Sequence, residues 1–262
     1  MHFFLIRFLI PIIVFITINS LHHETSFAFR DLGIPVKEAI CWGVHAGPGK
    51  TGEKDTIYLS FGQYEAPLFL LAVNPQTGEM RQFNGSLSSE MGSWGFTVDH
   101  GNRIYLGSYY NAHLLRFDPK TEEWDDLGRP GGETESFICS LTTAPDGKIW
   151  GGTFPFTNLF SYDPKTEKSD NFGRMDPDQF YCYPTSGENG LIYCAIQFEK
   201  MDIVVFDPKN DQLSLLAKPP VPIDSGMAIK GRKIYFGSGA NLYEFEIPLD
   251  PPIKLIESNP FL

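Results

Sequence analysis

The sequence predicts an all-β fold of about five four-stranded repeats, and three observations indicate it. An Ile followed by Tyr or Trp returns five times, starting at residues 57, 104, 149, 192 and 234, in steps of 47, 45, 43 and 42 residues. Each pair is followed by a small-residue turn, a second apolar run and a charged run. No helical periodicity appears after residue 28. A period of roughly 45 residues built from short strands is typical of a β-propeller.

Each repeat divides into four short runs. The third reads ESFICSLTTAPDG, KIWGGTF, NLFSYDPKT and EKSDNFGR, and the second follows the same scheme with NRIYLGSYY, HLLRFDPKT and EEWDDLGRP. The runs are rich in β-branched and aromatic residues and bounded by Gly, Pro, Asp or Asn, which predicts four antiparallel strands. At the Asp118-Pro119 and Asp163-Pro164 corners, we expect Pro to set φ and the Asp carboxylate to bond the backbone. These aspartates are therefore interpreted as turn formers and not as catalytic acids.

Two arrangements of the repeats stay open. The segment FRDLGIP at 29–35 is similar to the outer strand DDLGRP of the second repeat, and in closed propellers such a strand often completes the last blade. The fifth repeat, however, carries its own candidate outer strand, IKLIES, at 253–258. The sequence therefore predicts a propeller domain over residues 29–262 that is either a closed five-blade ring or part of a larger ring.

Residues 1–28 have the features of a secretory signal peptide. They open with a largely apolar stretch, and Ser26 and Ala28 place small residues at the −3 and −1 positions of a cleavage site. An uncleaved anchor is the alternative, but the apolar stretch after Arg7 is short for a span of about 20 residues and contains Pro11. We therefore expect a secreted or periplasmic protein with no membrane contact after the signal is removed.

Charge and cysteine content exclude several classes of partner. Signal removal takes away Arg7 and Glu24, one charge of each sign, so the mature chain keeps the net charge of −11. This charge argues against nucleic acid and anionic membranes as partners. The four cysteines form no CxxC pair, so there is no zinc signature, and we expect no metal and no cofactor. Cys182 and Cys194 could face each other across a hairpin, but free buried cysteines are expected.

The candidate binding site is the face on which two sets of loops meet. In a four-stranded blade, the loop between strands two and three opens on the same side as the loop to the next blade. The first set contributes six aromatic residues: Tyr64, Tyr109, Tyr110, Phe154, Phe156 and Phe198. The second contributes three basic residues, each just after an outer strand: Arg129, Arg174 and Lys218. Aromatic platforms beside basic groups suit carbohydrate, above all sugars that bear carboxylates.

Each of these features has a plainer structural interpretation. The rings could cover blade edges, and the basic residues could be solvated charges. The same loops also carry four acidic residues that could cancel the positive charge or bind Ca²⁺: Glu133, Glu135, Asp176 and Asp178. His113 opens a third strand at a place where other repeats have Asn158, Asp202 or Asn241, so it could simply bond local backbone. Histidine is the residue type most often used as a base near neutral pH, and His113 follows Tyr110 closely, which also makes it a candidate base.

The repeats resemble known propeller families. The segment TTAPDGKIWGGTFPFTNLFSYDPKTEKSDNFG and its sister NRIYLGSYYNAHLLRFDPKTEEWDDLG are similar to repeats of streptogramin-lyase-like and sugar-lactonase-like propellers, and to those of secreted propeller polysaccharide lyases. The similarity covers nearly all of residues 29–262 and lies mostly in turn and strand residues. The streptogramin-lyase pattern calls for a catalytic His on late blades, and the last two repeats contain none. The lactonase pattern needs a metal-binding set of Glu, Asn and Asp that the inner strands do not supply.

Resemblance to uronate lyases implies roles for three residues. Such enzymes neutralise the sugar carboxylate with an Arg or a cation, and a Tyr or His then removes the acidified proton. By analogy, Arg129 would be the neutraliser and His113 or Tyr110 the base. The resulting prediction is an exported propeller that binds carbohydrate, with elimination at a uronate linkage as its enzymatic form. The alternative is a non-catalytic binding or interaction propeller, including a fragment of a longer protein.

Overall fold

The computed structural model describes residues 39–52, 55–63, 66–224, 226–248 and 254–255. The proposed signal peptide, the FRDLGIP segment and Tyr64 lie outside these residues. All regular structure in the described part is β-strand, which confirms the predicted all-β class. Within these ranges, no helix is long and apolar enough to cross a membrane.

The strands form successive antiparallel sheets that follow the repeats. The first sheet consists of β1 (Ile40–Gly47), β2 (Thr56–Gly62), β3 (Phe69–Val73) and β4 (Met80–Asn84). The second consists of β5 (Gly92–Val98), β6 (Ile104–Tyr109), β7 (Leu114–Asp118) and β8 (Glu123–Asp126). The third consists of β9 (Phe137–Thr143), β10 (Ile149–Phe154), β11 (Asn158–Asp163) and β12 (Lys168–Arg174), and a single pairing of Tyr109 with Phe137 joins it edge to edge with the second. Each sheet therefore meanders outward from its first strand.

The last two sheets continue the scheme with one change. The fourth consists of β13 (Tyr181–Ser186), β14 (Ile192–Gln197), β15 (Met201–Asp207) and β16 (Gln212–Ala217). The fifth has three strands in the described residues: β17 (Met227–Lys230), β18 (Lys233–Ser238) and β19 (Asn241–Glu246). The prediction that IKLIES is the outer strand of the fifth repeat is wrong, because β20 (Lys254–Leu255) pairs with β16. An outer strand has an unpaired edge, and β16 offers one.

The core lies between successive sheets. Four apolar clusters each combine residues from two neighbouring sheets, as between Leu70 of the first sheet and Leu106 of the second. Tyr105 and Phe160 share the cluster between the second and third sheets, and the fourth sheet shares one cluster with each of its neighbours. A single sheet cannot cover both of its faces, so this stacking buries the apolar faces that the repeats predict.

The turns between third and fourth strands repeat the same geometry. The carboxylate Oδ1 of Asp118 accepts the N–H of Lys120, and Asp163 accepts that of Lys165 in the same way. The predicted turn role of these aspartates is confirmed. Four residues later, Glu122 and Glu167 have positive φ values of 65° and 57°. A glycine, Gly78, takes this left-handed position in the first sheet, where such a φ carries no steric cost.

The cysteines of the described residues are free. Cys182 and Cys194 lie on neighbouring strands but are not directly opposed, because the register pairs Cys182 with Ile196 and Cys194 with Pro184. Both are fully buried among apolar side chains of the fourth sheet and its neighbour. The expectation of free, buried cysteines is therefore confirmed for this pair.

Candidate functional site

The candidate site is the face where the loops between second and third strands meet the loops that join the sheets. Hydrogen bonds hold the two sets together: Ala112 N–H donates to Ser136 O at 3.2 Å, and Phe180 N–H donates to Gln197 O at 3.4 Å. We call this side of the molecule the loop-rich face.

A belt of aromatic rings runs across the loop-rich face where the innermost strands begin. Trp42 lies 4.8 Å from Trp94, Trp94 lies 5.2 Å from Phe137, and Phe137 stacks on Phe154 at 5.0 Å. Phe154 continues the belt to Tyr181, with ring centroids 4.6 Å apart. The belt therefore crosses the first four sheets, and neighbouring rings contact one another without interruption.

Four rings of this face reach solvent. All the exposed aromatic side chains among the described residues lie here: Trp94 (37%), Tyr110 (49%), Phe156 (38%) and Phe198 (56%). Exposed rings on a soluble protein leave apolar surface in water, and a cluster of them marks a binding surface more often than scattered single residues do. The face thus offers flat apolar platforms to a ligand.

The other predicted aromatic residues mainly support the belt. Tyr109 is buried and stacks on Trp42 with centroids 4.4 Å apart, and burial raises the pKa of its phenol. Phe154 is half-buried between Phe137 and Tyr181. Tyr110 contacts Tyr109 edge-on at 5.1 Å. Tyr109 is therefore placed to hold Tyr110 in position, whereas Phe154 links two rings of the belt.

The three predicted basic residues differ in their contacts. Arg129 is engaged within its own loop, where Nη1 donates to the Glu133 carboxylate at 2.6 Å and Nη2 to the carbonyls of Glu133 and Glu135 at 2.7 and 2.8 Å. Arg174 donates to the carbonyl of Gln179 at 3.3 Å and lies over Phe156, 5.2 Å from the ring centroid. Lys218 is mostly exposed, and its Nζ is 3.9 Å from Asp202.

His113 is held by a carboxylate. Its Nδ1 lies 2.9 Å from Oδ1 of Asp126 on the outer strand of the same sheet. Its backbone N–H donates to the Ser108 hydroxyl at 3.0 Å, as expected for a residue that opens a strand. The structure therefore brings Tyr110 and His113 onto one loop and Arg129 onto the adjoining loop, but the ring of His113 is bonded to Asp126 and the guanidinium of Arg129 to Glu133.

Four acceptor side chains, which we call loop acceptors, fix the loop-rich face; all but Asp224 are buried, and sequence reasoning missed most of them. They recur in steps of 45, 44 and 45 residues and include one residue already considered for another role: Glu90, Glu135, Gln179 and Asp224. Each accepts a backbone N–H from the loop after the second strand of its sheet, as Glu90 does from Asn111 at 3.1 Å and Glu135 from Phe156 at 3.2 Å. Burial raises the pKa of Glu135. The near-constant spacing could have revealed them.

The acidic residues of these loops have structural partners. Glu133 pairs with Arg129, and Oδ1 of Asp176 accepts the N–H groups of Asp178 and Gln179 at 2.8 and 3.0 Å. In the described part of the chain, no group of three or more His, Cys, Asp or Glu side chains is arranged to hold a metal ion. The geometry of the face is therefore set by carboxylate-to-backbone bonds.

Comparison with known proteins places the fold. No protein-family model and no curated protein matches this sequence. Solved structures do match: virginiamycin B lyase from Staphylococcus aureus aligns with a TM-score of 0.63 and 13% identity, over 78% of this chain and 65% of that one. An extracellular domain from B. thetaiotaomicron aligns with a TM-score of 0.55 and 18% identity, over 72% of this chain and 26% of that one.

A third structure gives the same result. An auxiliary nutrient binding protein from Bacteroides thetaiotaomicron aligns with a TM-score of 0.55 and 11% identity, over 79% of this chain and 55% of that one. This chain therefore spans less than two thirds of each of these three proteins. Identities this low carry the fold and not the activity. Together with the stacked antiparallel sheets, they show that the chain has a β-propeller fold.

Proposed function

We propose that this protein is an exported β-propeller that binds carbohydrate on its loop-rich face. The observation that carries the proposal is that the exposed aromatic side chains of the described residues, Trp94, Tyr110, Phe156 and Phe198, all belong to this face. Such rings stack on the apolar faces of sugars, while nearby polar groups bond the hydroxyls. Contacts with neighbouring side chains keep the rings ordered, as Phe137 does for Trp94 and Tyr109 for Tyr110. This order lowers the entropy cost of ligand binding.

The location follows from two observations. Residues 1–28 have the pattern of a secretory signal, and an extracellular domain and a nutrient binding protein are among the proteins with a similar fold. An exported propeller meets glycans and nutrients directly. The net charge of −11 supports a ligand that is neither nucleic acid nor an anionic membrane.

Calorimetry with a panel of neutral and acidic oligosaccharides tests the proposal. The Tyr110→Ala substitution should weaken binding by about 1–3 kcal/mol, or roughly 5- to 150-fold, because a ring that stacks on the sugar is lost. Gln76→Ala is the control, since Gln76 is exposed and lies in the turn between β3 and β4, at the end of the sheet opposite the loop-rich face. Equal affinities in wild type and Tyr110→Ala would remove this ring from the site. Absence of binding to the whole panel would favour the alternative, a propeller that acts as an interaction scaffold.

Elimination at a uronate linkage is a second candidate, favoured by one contact. A carboxylate bonded to Nδ1 of a histidine, as in His113 and Asp126, orients the imidazole and leaves Nε2 to act on a substrate. His113 Nε2 would remove the proton on the carbon beside the carboxylate, a C=C bond would form as the glycosidic C–O bond breaks, and Tyr110 would give its proton to the leaving oxygen. Arg129 would neutralise the sugar carboxylate only after exchanging Glu133 for the substrate. Following the absorbance of unsaturated products near 235 nm, with wild type and His113→Gln, distinguishes a lyase from a binding protein.

A further inference from the structure

Two Gln-Phe pairs, distant in sequence, meet on the loop-rich face between the third and fourth sheets. Gln179-Phe180 precedes β13, and Gln197-Phe198 ends β14. The N–H of Phe180 donates to the carbonyl of Gln197 at 3.4 Å, so the two pairs lie side by side. The two phenyl rings contact each other edge-on, with centroids 4.6 Å apart. Phe198 is exposed, whereas both glutamines are buried.

The side-chain amide of Gln179 has a fixed orientation. Its Oε1 accepts the N–H groups of Glu199 and Lys200 at 2.9 and 3.1 Å. These donors require an oxygen, so the NH₂ group must occupy the other position. That Nε2 is buried and has no hydrogen-bond partner, and the same is true of Nε2 of Gln197. Two buried amide donors without acceptors therefore occur in neighbouring segments.

Comparison between the repeats shows that these donors are not needed for the loops. At the places equivalent to Gln179, the second and third sheets have Glu90 and Glu135, whose carboxylates accept backbone N–H groups. A glutamine keeps that acceptor and adds an NH₂ group. Buried donors left unpaired are unfavourable, and where they persist in a fold they point to an unseen water, ion or ligand. A ligand with acceptor atoms explains why the donor is present here and not at the equivalent places of the second and third sheets.

We propose that Gln179 and Gln197 form a subsite that binds the carboxylate of an acidic sugar, a claim that rests on the proposed carbohydrate-binding function. A carboxylate only accepts hydrogen bonds, and its two oxygens match two amide donors. The guanidinium of Arg174 adds positive charge close to Gln179, because its Nη2 lies 3.3 Å from the backbone carbonyl oxygen of that residue. The nearby acids are occupied: Asp176 accepts backbone N–H groups, and Asp178 faces Lys200 at 3.7 Å.

Access to the subsite requires a side chain to move. Both Nε2 atoms lie below the surface, and Phe198 directly follows Gln197 in the loop between β14 and β15. We expect the sugar ring to stack on Phe198 as this side chain turns outward, while the carboxylate reaches the amides. The exposed ring and the buried donors thus act on two parts of one residue of the ligand.

Calorimetry with trigalacturonate and with its neutral counterpart, galactotriose, tests the subsite. Gln179→Glu is the sharpest variant, because it keeps the acceptor for Glu199 and Lys200, as the other sheets do, while it removes the donor and adds a negative charge. We expect it to weaken trigalacturonate binding by about tenfold or more and to leave galactotriose binding within about twofold. Gln197→Met, which lacks the donor without adding charge, should reduce trigalacturonate binding as well. Unfolding curves confirm that both variants are folded.

Nuclear magnetic resonance of the side-chain amides gives a second readout. The Gln179 NH₂ signals, assigned from their loss in Gln179→Glu, should shift saturably with trigalacturonate and stay in place with galactotriose. If each sugar binds to Gln179→Glu as tightly as it binds to wild type, the subsite is overturned and the proposed function stands. If neither sugar nor any other glycan of the panel binds, both proposals fail. If the Gln179 NH₂ signals do not shift although calorimetry shows that trigalacturonate binds, the subsite is also overturned.

Discussion

The ring of Tyr109 stacks on the indole of Trp42, with planes 11° apart, and so links the second sheet to the first. The stack is possible because glycines pass beside it. A Cβ atom on Gly62 would lie 2.5 Å from the Tyr109 hydroxyl, and one on Gly92 would lie 2.5 Å from its ring. The aromatic belt therefore depends on positions that cannot hold a side chain.

Gly92→Ala should destabilise the protein by about 1–3 kcal/mol, because the new methyl group overlaps the Tyr109 ring and comes within 2.9 Å of the Phe61 carbonyl oxygen. Urea unfolding measures the change. Gly226→Ala is the control, since no atom lies within 4 Å of a Cβ there. Equal stabilities of Gly92→Ala and Gly226→Ala would show that the stack is not tightly packed.

The strands were predictable because their signal is local. Four of the five Ile anchors, Ile104, Ile149, Ile192 and Ile234, are fully buried, as the repeat predicts. Period-2 patterns and turn residues fix where strands begin and end without reference to distant residues. The pairing of β20 with β16 was not predictable, since it depends on which outer edge is open in three dimensions.

The site was predictable only in outline. Loop positions identified Tyr110 and Phe156 as exposed rings, but Trp42 and Phe137 of the belt sit at strand starts and were missed. The partners of long side chains depend on rotamers, which sequence patterns do not fix. From its place in the sequence, Arg129 was predicted to contact the carboxylate of a sugar. In the structure it contacts the carboxylate of Glu133, four residues later in the chain.

Glu90→Ala should destabilise the protein by about 2–4 kcal/mol. The buried carboxylate accepts the Ser108 hydroxyl at 2.5 Å and two N–H groups of Asn111 at 3.1 and 2.7 Å, and its removal leaves these donors buried without an acceptor. Glu133→Ala is the control on the same face, because its side chain is exposed and such ion pairs contribute at most about 1 kcal/mol. Similar losses in both variants, measured by urea unfolding, would contradict a special role for the loop acceptors.

Arg129 and Lys218 should respond differently to truncation. Arg129→Ala removes three hydrogen bonds that close its loop, so we expect a loss of about 1–3 kcal/mol in the free energy of unfolding. Lys218→Ala should stay within about 0.5 kcal/mol of wild type, since its ion pair with Asp202 is long and exposed. If Arg129→Ala is as stable as wild type but binds glycan more weakly, Arg129 contacts the ligand and does not mainly stabilise its loop.

His45 should make the fold sensitive to mild acid. Its ring lies flat on Phe96 at 3.9 Å, and burial lowers its pKa from 6.5 to about 4. Between these two values the unfolded chain binds a proton and the folded protein does not. The contribution of neutral His45 to the free energy of unfolding is therefore complete above pH 6.5 and is lost as the pH falls toward 4. Full linkage would amount to about 3 kcal/mol, and the partial exposure of the ring reduces this to about 1–2 kcal/mol.

The His45→Leu variant isolates this contribution, because leucine keeps an apolar contact with Phe96 and does not titrate. Urea unfolding of both proteins at pH 7.5, 5.5 and 4.5 gives the difference in stability at each pH, and carboxylates common to both proteins cancel. We expect the free energy of unfolding of wild type, relative to that of His45→Leu, to decrease steadily as the pH falls. A difference that stays constant across the three values would mean that the folded protein protonates His45 as readily as the unfolded chain does.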